Sequence, residues 1–159
     1  MPSAVSRTIA GFIAGFLAVA IFHQGMYVLL QQFGLPLAGK PWNMGPNAAA
    51  FGMPAVLNQC FWGGLWGIGY AFLADRIPGE QDWLKGFIFG FVGPMLLGGW
   101  IVVALIKGAP MFSGAFAKGF DGMRLVPSFF LNAVGFGIGL GLIYPLLARA
   151  LPGEARLRG

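Results

Sequence analysis

The sequence predicts an all-α fold: a four-transmembrane-helix bundle built from two parallel repeats of a helical hairpin, with a pseudo-two-fold axis along the membrane normal. Three observations carry this. First, 57% of the 159 residues are hydrophobic and only 9% are charged, with mean hydropathy +0.75. A soluble domain carries roughly 25% charged residues. Second, four apolar runs each approach the roughly 20 residues that a helix needs to cross a bilayer. Third, the second half of the chain repeats the first. The runs are continuous rather than alternating, which excludes a β-barrel.

The first span is expected at about 8–30. Arg7, an apolar core and Ala18-Val19-Ala20 have the look of a cleaved signal, but the apolar run continues to Leu30, too far for a signal core. It is therefore read as a span. The others are expected at about 54–74, 83–106 and 127–148. Each is bounded by a charge, a proline or a Gly/Pro cluster, the usual helix stops. None contains Asp, Glu or Arg, and the one lysine, Lys85, stands at the start of the third. Pro94 and Pro145 fall inside the third and fourth spans and should bend them.

Shifting the chain by 74 positions lays the second span on the fourth. Leu57, Asn58, Gly63, Gly67, Tyr70, Leu73, Ala74, Pro78, Gly79 and Glu80 then meet Leu131, Asn132, Gly137, Gly141, Tyr144, Leu147, Ala148, Pro152, Gly153 and Glu154. Chance would give about two or three such identities. A shift of 75 lays Gly11-Phe12-Ile13-Ala14-Gly15-Phe16 on Gly86-Phe87-Ile88-Phe89-Gly90-Phe91. The chain thus reads as one membrane domain, 1–159, with repeat one at about 8–80 and repeat two at about 83–154. Each unit crosses the membrane twice, so the copies are parallel and not inverted.

Gly63, Gly67, Tyr70 and Ala74 share one helix face, and so do Gly137, Gly141, Tyr144 and Ala148. Small residues mark helix contacts in lipid, where close packing rather than the hydrophobic effect drives association. These eight are the expected packing residues.

Charge decides orientation. Arg7, Arg76, Lys85, Arg149, Arg156 and Arg158 lie on the side of the termini, against Lys40, Lys107, Lys118 and Arg124 on the far side. This favours both termini in the cytoplasm. The ten cations are scattered and form no basic stripe, so no nucleic-acid partner is expected.

Polar residues inside spans are the candidate site. His23 and Gln24 lie roughly 22 Å into the first span by helical rise. Asn58, Gln59 and Asn132 enter from the other direction and reach the same half. The second repeat has Gly98 and Gly99 where the first has His23 and Gln24. These five groups either bond one another or form a shallow site for a lipid headgroup, a quinone or a small solute. No metal site, catalytic motif or cofactor is expected: the spans hold no carboxylate, the only cysteine is Cys60 and the only histidine is His23.

Two far-side loops, about 31–53 and 108–126, are long and apolar. Loops of that length are usually functional. Trp42 in the first, and Phe112, Phe116 and Phe120 in the second, are the expected partner-facing residues, with Phe116 at the repeat position of Trp42. The three phenylalanines have the spacing of a short interfacial helix. The short charged turn Asp75–Asp82 is read as a helix stop with no chemistry, and the loop pair Asp121 and Arg124 as solvated.

Phe22-His23-Gln24-Gly25, Gly52-Met53-Pro54-Ala55-Val56-Leu57 and Phe61-Trp62-Gly63-Gly64 resemble segments of small uncharacterised four-helix integral membrane proteins of proteobacteria. The resemblance covers most of the chain and implies a bacterial inner-membrane location and no known activity. The functional expectation is a non-catalytic membrane protein in the lipid bilayer: an accessory or assembly subunit working with other membrane subunits, or a self-associating homo-oligomer. The alternatives are a small-solute pore or carrier formed by oligomerisation, and a lipid- or quinone-binding membrane protein.

Overall fold

The computed structural model describes residues 3–35, 37, 39–102, 105 and 122–150. Phe112, Phe116 and Phe120 lie outside the described residues. So do Lys107, Lys118, Asp121, Arg156, Arg158 and the Pro152-Gly153-Glu154 copy of the helix stop.

The chain is all-helical, with four helices: α1 (Ala4–Gln32), α2 (Ala55–Leu73), α3 (Asp82–Val102) and α4 (residues 122–150). Three of them are long and apolar enough to cross a membrane, namely α1, α3 and the Leu125–Ala150 part of α4. The fourth helix, α2, is not among those three. It has 19 residues, and Asn58, Gln59, two tryptophans and four glycines dilute its apolar content.

Local chemistry sets the helix ends. Ser3 caps α1, its Oγ accepting from the Ser6 N–H at 3.0 Å. At the other end Gly34 takes φ +73°, and the Leu35 and Gly34 N–H groups close back on the Leu30 and Gln31 carbonyls. This is the Schellman stop that a glycine permits. The chain turns from α2 into α3 over Pro78 and Gly79, the latter at φ +114°.

Three helices widen to π geometry, at Ala18–His23 in α1, Phe91–Val102 in α3 and Phe130–Ile138 in α4. Only α2 is α-helical throughout. Pro94 lies inside the widened stretch of α3. Its ring and missing N–H oppose the normal i→i−4 ladder, so the bend expected there coincides with a change of helix type. Pro145 sits in the α-helical part of α4.

Two hairpins form through glycine crossings. In the first, a Cβ added to Gly15 would strike the Gly63 carbonyl oxygen, and one on Gly11 would lie 2.9 Å from the Ala71 Cβ. In the second, a Cβ on Gly86 would lie 2.7 Å from the Gly141 Cα, and one on Gly90 would lie 2.8 Å from the Gly137 Cα. Backbones this close allow no side chain between them, as small-residue contacts in membrane helices require. Gly63, Gly67, Tyr70, Gly137 and Gly141 are buried, Ala74 is at the margin, and Tyr144 and Ala148 are half-buried.

The hairpins join along α1 and α4. Gly139 lies under the Phe22 ring, and a Cβ on Gly135 would stand 3.0 Å from the Met26 Cβ. The opposite seam, between α2 and α3, is packed by rings at the end nearer the chain termini, and beyond it only Trp66, among the described residues, reaches across, to Gly93 and Gly98. At the near end Phe89 packs edge-on against Trp66 and Tyr70, with centroids 6.1 and 5.3 Å apart. Tyr70 also meets Tyr144 at 5.5 Å. Ala14, Ala18, Met95, Ala133 and Leu140 complete the interior. Outward-facing Ile9, Ile13, Phe61, Phe72, Leu97, Leu142 and Leu146 stay exposed, an apolar surface of the kind lipid contact demands and water does not.

Candidate functional site

The α2–α3 seam opens into a cavity of about 570 Å³ lined by all four helices, within the range of about 300–1,000 Å³ usual for small-molecule sites. His23 from α1, Asn58 and Gln59 from α2 and Asn132 from α4 face it. Gln24 lies behind them, essentially fully buried. The walls are Trp62, Trp66, Phe136 and Pro94, and Gly98 and Gly99 form the α3 side. All five polar residues singled out in the sequence thus lie at or directly behind one cavity.

Trp42 joins this site from the loop. Its backbone N–H donates to Gln24 Oε1 at 2.8 Å, and its indole N–H donates to the Ala20 carbonyl at 2.8 Å. The residue holds φ +46°, a left-handed conformation that is strained for a bulky side chain. These bonds hold it there. Asn43 and Gly45 continue the connection, their carbonyls accepting from the Val56 and Ala55 N–H groups. The loop therefore supplies the acceptors that the first turn of α2 lacks. Trp42 was expected to face a partner; its bonding partners lie inside the fold, although the side chain remains half exposed.

Hydrogen-bond direction decides what the cavity presents. A backbone N–H can only donate, so the Trp42 contact identifies Oε1 of Gln24 as the acceptor. Gln24 Nε2 then donates to Gln59 Oε1 at 2.8 Å. The Gln59 amide nitrogen is left as a donor at the cavity rim. Gln24 Nε2 also approaches His23 Nδ1 at 3.5 Å; since an amide nitrogen donates, Nδ1 accepts and Nε2 carries the imidazole proton. Asn132 Nδ2 donates one turn back to the Ser128 carbonyl at 2.9 Å, leaving Oδ1 free to accept. The Asn58 amide makes no hydrogen bond among the described residues and offers both functions. None of these groups is a carboxylate or an obligate cation.

The depth of the site follows from α1. Helical rise puts Gln24 about 25 Å from Arg7, where the hydrocarbon core is about 30 Å thick. The polar groups therefore sit just inside the far boundary. Arg7 marks the near boundary, where it pairs with Asp75 at 2.8 Å.

Sequence reasoning missed the aromatic walls and the part Trp42 plays in the polar chain. Trp62, Trp66 and Phe136 look like ordinary apolar span residues, and no periodicity distinguishes them. The signal that was present was Gly98-Gly99 opposite His23-Gln24 in the repeat alignment: two missing side chains at the depth of the polar cluster.

Comparison with protein-family profiles, with curated proteins and with solved structures returns no match.

Proposed function

We propose that the chain is a non-catalytic accessory or assembly subunit of a bacterial inner-membrane complex, with both termini in the cytoplasm and a partner docked on the far-side loop between α1 and α2. The observation that carries this reading is Phe51. It is fully exposed at a left-handed φ of +54°, in a turn closed by bonds from Gly52 to Asn47, from Met53 to Ala50 and from Asn47 to Met53. A non-glycine residue in that conformation costs about 1 kcal/mol or more. The fold accepts that cost and holds an exposed phenyl on a firmly bonded tip. Phe33, Met44 and Met53 are also exposed along residues 33–53, and exposed apolar side chains gathered in one loop support an interaction surface.

Arg7, Arg76, Lys85 and Arg149 at the end of the termini support the orientation. The duplicated hairpin belongs to the same proposal. It is supported by glycine crossings at repeat-equivalent positions, Gly11 and Gly15 on Gly63 and Gly67, and Gly86 and Gly90 on Gly137 and Gly141. A solute path through a single bundle is not favoured, because Tyr70, Met95 and Leu140 fill its interior.

The test is a mild-detergent pull-down from the native membrane followed by native mass spectrometry. A stoichiometric partner subunit, lost when Phe51→Ser and Met44→Ser are combined, is the expected result. A bare monomer would refute the accessory reading, and a homo-oligomer alone would replace it with self-association.

A further inference from the structure

We propose that the cavity between α2 and α3 binds an uncharged, membrane-soluble carbonyl compound with a planar headgroup and an apolar tail, the chemistry of an isoprenoid quinone. The inference stands on the cavity and does not depend on the loop.

Four features select that class. The mouth opens along the α2–α3 seam, where Trp62, Leu65 and Val102 are exposed on a lipid-facing surface. A ligand therefore enters sideways from the bilayer, not from water. The walls are aromatic, with Trp62 and Trp66 from α2 and Phe136 from α4, and aromatic side chains favour a planar ring as a neighbour. The polar groups are neutral, so an anionic phosphate headgroup would find no counter-charge in a medium where an unpaired charge is costly. Finally, the hydrogen-bond chain from Trp42 through Gln24 leaves the Gln59 amide as a directed donor. His23 adds a second donor. Two donors match two carbonyl oxygens, and Asn132 Oδ1 accepts from a hydroxyl if the ring is in its reduced form.

The absence of side chains at Gly98 and Gly99 keeps the volume open. A Cβ on Gly99 would lie 3.6 Å from the Pro94 carbonyl oxygen, an ordinary contact. A larger side chain there can fill the cavity without displacing backbone. Gly98 is less permissive, with Trp66 only 3.0 Å from an added Cβ.

The full chain in quinone-free nanodiscs, titrated with a decyl-chain benzoquinone and followed by tryptophan quenching against empty discs, provides the test. Expected are saturation at one quinone per chain, binding about tenfold weaker for Gln59→Leu, as loss of one desolvated hydrogen bond implies, and no saturable quenching for Gly99→Leu. Circular dichroism checks that each variant is folded, and if Gly99→Leu is not, Gln59→Leu decides alone. Quenching that never saturates, or the same affinity in Gln59→Leu as in the parent, would overturn the proposal. So would displacement of the quinone by an equal concentration of dioctanoylglycerol, which would show that the site reads a glycerol lipid.

Discussion

The two seams that join the hairpins face each other across the bundle, yet one is closed and the other open. Along α1 and α4, Gly135 and Gly139 let the Phe22 ring settle against the α4 backbone. At the repeat-equivalent places along α2 stand Phe61 and Leu65, both exposed. A glycine admits a neighbouring ring to its backbone; Leu65 instead lines the cavity, and Phe61 turns toward α1, where its ring packs edge-on against Phe12. The space left between α2 and α3 is the candidate site.

Cross-linking gives the largest contrast. In a Cys60→Ala background, Phe22→Cys with Gly139→Cys should form a disulfide nearly completely under mild oxidation. A Cβ at Gly139 lies 2.8 Å from that of Phe22, so with the ring removed a small outward shift brings the pair to the roughly 3.5–4.5 Å that a disulfide spans. The equivalent pair across the open seam, Leu65→Cys with Leu97→Cys, should stay reduced under the same conditions. Equal cross-linking of the two pairs on non-reducing gels would show that the seams do not differ.

Filling the closed seam comes next. Gly139→Leu places a side chain where the Phe22 ring lies at 2.6 Å from an added Cβ, and should cost about 3 kcal/mol, the upper end for overpacking. Adding Phe22→Ala should recover part of the loss. Leu65→Ala, on the open side, should cost under about 1 kcal/mol because the side chain is exposed. Thermal unfolding in detergent, followed by circular dichroism, measures all three.

The polar chain beside the open seam supplies two smaller effects. Gln24→Leu strands the Trp42 N–H and removes the donor to Gln59, and should destabilise by about 2 kcal/mol. Trp42→Phe loses only the indole bond to the Ala20 carbonyl and should cost about 1 kcal/mol. If the two were indistinguishable in unfolding midpoint, the buried glutamine would not be the centre of the chain.

Much of the helical layout was readable from composition and punctuation. Apolar runs bounded by Arg7, by Pro54 and by the Pro78-Gly79 turn read as helices of about these lengths, since each stop acts within a few residues of itself. The shared depth of His23, Gln24, Asn58, Gln59 and Asn132 was readable too, because helical rise converts residue number into height. What escaped was which side chains of α1, α3 and α4 turn toward the cavity. Three π-helical stretches alter the angle per residue, so faces assigned from a regular helical period drift after Ala18, Phe91 and Phe130. Trp42 escaped for a different reason. Its place beside Gln24 comes from a loop folding back along α1, and nothing local to residues 33–54 encodes that return.

The sequence by itself determined the solvent, the helices, the glycine faces and the depth of the polar groups, because each of these follows from one residue type or from spacing along one chain segment. Only the tertiary structure decided which seam closes, which amide atoms donate and where the cavity opens. Those outcomes depend on which side chains from separate helices arrive at the same point. A glycine meeting Phe22 closes a seam, and neither residue carries that information alone.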